Sequence, residues 1–228
     1  MKPLLALAAT LTLAASMAQA ATVSNIDTID DATRDHFYGF EDLPSTGSFG
    51  ATTGSTTTGD NITVTQVSGE TNDIWTSFLP GGGEGARAWY ANGGDFGYTA
   101  IKTADGSDLD ALGLLIGSGY NSDTTGHYSL RLDGSEVSSG SFVNSGTLSY
   151  LSFSGARFDE IYLLATLSSS FSSFGDGTFN ALAVDAIEVS LASEISFSNP
   201  TPIPLPAGGL LLLSGLVGIS VMRRFKRG

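Results

Sequence analysis

Tyr128-Ser129-Leu130-Arg131-Leu132-Asp133-Gly134-Ser135-Glu136-Val137-Ser138-Ser139-Gly140-Ser141-Phe142 decides the fold class. Two short runs flank Asp133-Gly134, a pair that accepts the positive φ angles of a tight two-residue turn, so Tyr128–Leu132 and Glu136–Phe142 are expected to form a β-hairpin. The pattern repeats on both sides. Ile62-Thr63-Val64-Thr65 alternates apolar and polar residues, as a strand with one buried face requires. Leu148, Tyr150, Leu151 and Phe153 fit a strand with a bulge or with both faces covered. In Leu182–Val189 two alternation parities meet near Val184 and Asp185.

Strands are expected at Asn61–Val67, Ala86–Ala91, Phe96–Lys102, Leu112–Gly117, Tyr128–Asp133, Thr147–Phe153, Ile161–Leu167 and Ala181–Ser190, separated by Gly, Asn and Asp punctuation. Ser45–Asp60, Gly81–Gly85 and Ser168–Gly177 read as surface loops. No long stretch of 3.6-residue periodicity interrupts the region, and no internal repeat is present. The expected fold is all-β: a two-sheet antiparallel jelly-roll-like sandwich over residues 21–199. With roughly 180 residues such a domain buries a sufficient core without the disulfides that the absence of cysteine excludes.

The two ends read differently. Residues 1–20 carry Lys2, an apolar run from Leu4 to Leu13 and the small-x-small ending Ala18-Gln19-Ala20, the pattern of a signal helix cleaved by signal peptidase. The run is apolar on nearly all faces, which argues against an amphipathic helix packed on the domain. At the other end Pro200, Pro202, Pro204 and Pro206 make residues 200–206 an extended linker. Residues 207–222 are continuously apolar or small and read as a single transmembrane helix, slightly short for a bilayer. Arg223, Arg224, Lys226 and Arg227 form a basic anchor in residues 223–228, which the positive-inside rule places in the cytoplasm, with the β domain outside.

Charge follows this division. The middle domain holds five basic residues (Arg34, Arg87, Lys102, Arg131 and Arg157) against all 23 acidic ones, a formal charge of −18. Such a surface repels phosphate backbones, so nucleic acid is not an expected partner, whereas divalent cations are natural counter-ions.

Ile203-Pro204-Leu205-Pro206-Ala207, followed by an apolar helix and an Arg-rich end, resembles the PEP-CTERM sorting signals in their VPLPA variant. Ile203 stands where that variant has valine. The resemblance covers about 27 residues. It implies recognition by an exosortase in a Gram-negative bacterium with an exopolysaccharide system, anchoring in the inner membrane before processing, and release to the cell surface or extracellular matrix. A permanently tail-anchored protein is the alternative.

Phe40-Glu41-Asp42 near the start of the domain and Val184-Asp185-Ala186-Ile187 in its last strand are similar to the first and last strands of jelly-roll carbohydrate-binding modules. That resemblance implies a structural calcium ion held by Glu41 and Asp185, with Asp42 as a third ligand; exposed carboxylates at strand ends are the alternative reading. Calcium takes six to eight oxygens, which carboxylates and carbonyls supply. Asp105–Asp110 lacks EF-hand spacing, and Asn121-Ser122-Asp123 is turn chemistry.

Catalytic signals are weak. The adjacent pairs Glu41 with Asp42 and Asp159 with Glu160 would point to opposite faces of a strand rather than flank a sugar. His36 and His127 are the two imidazoles, and no Gly-x-Ser-x-Gly elbow occurs. No catalytic residue is therefore assigned. Trp75, Trp89 and Tyr90 would stack on sugar rings if exposed and form core if not. The expected function is a non-enzymatic surface or matrix protein, with polysaccharide as its candidate ligand; the alternatives are a secreted glycan-active enzyme and a purely structural matrix component with no ligand.

Overall fold

The computed structural model describes residues 22–24, 33–44, 55–67, 74–75, 83–95, 97–118, 124–166, 171–174 and 178–193. The chain divides into two compact units, Met1–Ser193 and Glu194–Gly228, and every described residue lies in the first. The signal segment, the proline linker, the sorting motif Ile203–Ala207, the apolar helix and the basic anchor all lie outside the described residues. Among the described residues no helix is long and apolar enough to cross a membrane.

The described chain is all-β. Its strands are β1 (Thr22–Ser24), β2 (His36–Tyr38), β3 (Thr56–Gly59), β4 (Ile62–Val67), β5 (Ile74–Trp75), β6 (Trp89–Asp95), β7 (Tyr98–Thr103), β8 (Leu109–Gly117), β9 (Thr124–Leu132), β10 (Ser135–Asn144), β11 (Ser149–Phe158), β12 (Glu160–Thr166) and β13 (Thr178–Leu191). All pairings are antiparallel. In the first sheet β1, β11, β8 and β13 lie side by side, and the far edge of β13 takes β6 along one stretch and β2 along another. The second runs β10-β9-β12-β7-β4-β3. A single pair, Ala165 with Asn180, links the two. From β7 to β9 and again from β10 to β13 the chain crosses between sheets at each connection, the interleaving of a jelly roll.

Between the sheets lies one core. Ile62 and Val64 of β4, Ile101 of β7, Leu130 of β9 and Ile161 and Leu163 of β12 face Leu112 and Leu114 of β8, Phe153 and Phe158 of β11, and Leu182 and Val184 of β13. The β9–β10 hairpin turns at Asp133 (φ 51°) and Gly134 (φ 75°), the left-handed pair its sequence requires. The parity change in the last strand is also real. Before the change Leu182 and Val184 face the core, and after it Ile187 and Val189 do. Between them the register with β8 shifts from Asp185 to Glu188, and Ala186 adopts φ 45°. One inserted residue in a period-two strand exchanges its faces, which is how both parities occur in one strand.

Two expectations need correction. The expected loop Ser45–Asp60 contains β3, because Thr56 and Thr58 bond across to Thr65 and Thr63 at 3.2 and 2.9 Å. Its turn uses Asp60 (φ 41°) and Asn61 (φ 61°) in place of a glycine. The strand expected from Ala86 begins at Trp89, since Ala86 and Arg87 donate their N–H groups to Glu41 instead of to a neighbouring strand.

Candidate functional site

Two places combine chemistry with geometry. The first is the carboxylate cluster where the chain segment after β2 meets the bulge of β13. Asp185 is fully buried. The bulge turns it off the core face, where the 83–87 segment covers it. Its Oδ2 accepts the Glu84 N–H at 2.6 Å and its Oδ1 accepts the Ala186 N–H at 2.7 Å. Burial pushes its carboxyl up to about 7, the two N–H donors oppose that rise, and the charges of Glu84 and Glu41 add to it. Glu41 in turn accepts the N–H groups of Ala86 (2.6 Å) and Arg87 (2.9 Å), and its carbonyl oxygen accepts from the Arg87 guanidinium.

The expected partners Glu41 and Asp185 are thus brought to the two sides of one segment. Asp42 points elsewhere: its carboxylate bears on the Tyr38 hydroxyl. Glu84 is the third carboxylate beside Asp185, and a Cβ placed on Gly39 would stand 2.6 Å from its Oε2. Sequence reading missed Glu84 because it sits in a Gly-rich stretch that carries no periodicity. Among the described residues no three His, Asp or Glu side chains form a metal-holding group of their own. A calcium ion here would therefore draw on main-chain oxygens as well. The buried, uncompensated charge of Asp185 between two further carboxylates is what such an ion would neutralise, so the donor chemistry fits.

The second place is the outer face of the second sheet. Residues there alternate with the core. Tyr98 on β7 and Tyr162 on β12 are diagonal cross-strand neighbours, because Tyr162 stands opposite Ala100 and Leu163 opposite Thr99. Their ring centroids lie 4.4 Å apart. Phe174, from the segment before β13, meets both rings edge-on at 5.8 and 5.9 Å, and Phe171 packs on Phe174 at 5.2 Å. Phe171 also stacks on the buried His127, whose pKa burial lowers and whose Nε2 lies 3.2 Å from the Thr166 hydroxyl.

Beside the rings, Arg131 of β9 lies between Glu136 of β10 and Glu160 of β12 in the strand register. Its guanidinium stands 4.9 Å over the Tyr162 ring. Glu136 accepts the hydroxyls of Ser139 (2.7 Å) and Ser129 (2.8 Å), which with Arg131 hold its pKa below the usual range. Tyr98, Tyr162, Phe171, Phe174, Arg131 and Glu136 line a groove of about 630 Å³ with serine hydroxyls at its rim.

The aromatic residues expected to stack on sugar are placed differently. Trp89 is fully buried against Phe40 (6.2 Å between ring centroids), and Tyr90 is 3% exposed beside Leu148 and Ala183, so both belong to packed interior. They lie there because β6 pairs with the central strand β13, where both faces are covered. The Trp75 side chain lies outside the described residues. The rings that do reach the surface, Tyr98, Tyr162, Phe171 and Phe174, were not singled out from the sequence; strand alternation around Tyr162 was the available signal.

No family model and no curated protein sequence matches the chain. Among solved structures it is similar to the enzymatically active domain of bacteriophage CBA120 tailspike protein 4, at 12% identity and a TM-score of 0.32 over 58% of this chain and 19% of that one. It is also similar to a GH31 CBM32-2 domain bound to GalNAc, at 14% identity and a TM-score of 0.26 over 75% of this chain and 97% of that one. The chain spans about a fifth of the tailspike domain's length.

Proposed function

We propose that this chain is an exported, non-catalytic cell-surface or matrix protein whose β-sandwich binds polysaccharide through the groove on the second sheet. The observation that carries the reading is the group of four aromatic rings beside a charged pair and serine hydroxyls in one groove. Sugar rings offer apolar C–H faces to aromatic rings and hydroxyls to carboxylate and guanidinium groups, and this groove supplies both. Among the described lining residues Glu136 is the one carboxylate.

Export and processing rest on the sequence: the signal segment 1–20, the motif Ile203–Ala207 and the basic end Arg223, Arg224, Lys226 and Arg227. Exosortase and signal peptidase are the implied processing partners. A structural calcium ion at Glu41 and Asp185, with main-chain oxygens making up its shell, completes the proposal. It would tie the start of the domain to its last strand in a chain without cysteine.

The binding reading is tested by depletion of the full chain from solution onto insoluble polysaccharides and by electrophoresis through glycan-containing gels. Retention that Tyr162→Ala abolishes supports it. Retention that Tyr98→Ala and Tyr162→Ala both leave unchanged moves the site elsewhere and overturns it.

A further inference from the structure

We propose that the outer edge of β10 pairs with the same edge of a second copy of this chain, joining two second sheets into one. Among the described strands that pair on one side only, β10 stands apart in length. β1 and β2 hold three residues each, β5 two and β3 four, whereas β10 holds ten. Among the described residues β9 is the one strand that pairs with β10.

The direction of the main-chain groups follows from β9. The Arg131 carbonyl oxygen accepts the N–H of Asp159, the residue before β12, at 2.8 Å. Alternate residues of an antiparallel strand share that direction, so Ser129, His127 and Thr125 also turn their N–H and C=O groups toward β12. Their partners across the hairpin are Ser139, Ser141 and Val143, which therefore point the same groups away from β9 and out of the sheet. All three residues are exposed. Sheet edges are normally guarded by lysine, proline, a bulge or simple shortness. Here the bulge and Glu136 lie at the hairpin end, and Ser138–Asn144 beyond them holds no charge and no proline.

Charge decides the occupant. A basic partner is drawn to carboxylates, which this stretch lacks. Two domains that each carry −18 can meet only where neither presents a carboxylate to the other, and this edge meets that condition. A two-fold axis through Ser141, normal to the sheet, sets Ser138–Asn144 antiparallel to itself. Ser139 then stands opposite the second copy's Val143 and Ser141 opposite its own counterpart, while Glu136 falls outside the paired stretch. The same axis leaves both grooves open on one face, with Glu136 and Ser139 of each groove lining next to the seam. On the binding reading above, a single polysaccharide chain would reach two grooves.

The experiment measures the mass of the full-length chain by sedimentation equilibrium in a neutral detergent, without glycan, from about 1 to about 200 µM. Expected is a monomer–dimer equilibrium that tightens from about 50 to about 500 mM NaCl, because salt screens the repulsion between two acidic domains. Ser141→Lys sets two ammonium groups against each other at the axis and should weaken the dimer about tenfold, although it lowers the net negative charge. Ser141→Pro removes an N–H that points out of the sheet, costs the seam two hydrogen bonds and should weaken it by a similar factor. A monomer throughout, or a dimer that both variants leave unchanged, as one driven by the apolar segment 207–222 would be, overturns the inference. Neither result bears on the groove, since no glycan is present.

Discussion

Replacing Asp185 with Asn should remove a pH dependence that the wild-type chain carries. The carboxyl is raised from an ordinary value of 3.8 to about 7, chiefly by burial. Because the folded-state value is raised, the folded chain holds the proton more tightly than the unfolded one. The resulting stability is fully present below about pH 4 and is lost as pH rises through about 7. At about 1.4 kcal/mol per pH unit the whole span amounts to about 4 kcal/mol, of which about 3 kcal/mol falls between pH 5 and pH 8. Asn has nearly the shape of the neutral acid, but where Asp185 turns one oxygen to each of the Glu84 and Ala186 N–H groups it offers one oxygen and an NH2, so one N–H loses its acceptor at a cost of about 1–3 kcal/mol that is the same at every pH. The stability of the variant relative to wild type should therefore rise by about 3 kcal/mol between pH 5 and pH 8, on top of the constant cost of the lost acceptor. The assay is urea unfolding of both proteins at pH 5 and pH 8 in a chelator. His127, whose lowered pKa gives a contribution of opposite sign in this window, is common to both proteins and cancels in the difference. Parallel wild-type and variant stabilities at the two pH values would refute the reasoning. Added calcium extends the test: at pH 8 it should raise the midpoint of wild type and leave Asp185→Asn unmoved.

Other predictions concern the scaffold and the address. Gly117→Ala would place a Cβ 2.6 Å from the Thr147 carbonyl oxygen and 3.1 Å from the Leu148 Cα. Main chain yields less readily than a side-chain tip, so a loss of about 1–3 kcal/mol is expected in denaturant titration. Gly134→Ala forces a Cβ onto the left-handed turn position of the β9–β10 hairpin (φ 75°) and should cost about 1–2 kcal/mol by the same titration, although nothing crowds the site. Intact-mass measurement of the protein from its native cells should show loss of residues 1–20 and of the segment beyond Ile203–Ala207, the second loss disappearing when the exosortase is deleted. An unprocessed C-terminus in both strains would mean a tail-anchored protein.

Much of the fold was legible because two signals are local. Asp133-Gly134 specifies its turn through backbone sterics alone, and the double parity of Leu182–Val189 records the bulge that turns Asp185 away from the core. What was not legible depends on partners distant in sequence. The Thr-rich β3 resembles a loop in composition and becomes a strand through pairing with β4. The convergence of Glu41 with Asp185 was readable only through resemblance, and Glu84 only from the structure. The aromatic groove is the clearest case. Tyr98, Arg131, Glu136 and Tyr162 come from four strands whose order in the sheet, β10-β9-β12-β7, no short sequence window contains. Trp89 attracted attention as a large ring, yet its place beside the central strand made it core.

The most direct test of the binding claim is a depletion isotherm of the full-length chain on insoluble polysaccharides, with Tyr162→Ala and Val143→Ser in parallel. Val143 is 80% exposed on β10 and lies outside the groove lining, so its replacement controls for surface changes that leave the rings intact. The account predicts saturable binding by wild type and Val143→Ser and about a tenfold weaker isotherm for Tyr162→Ala. Coincident isotherms for all three proteins would contradict it.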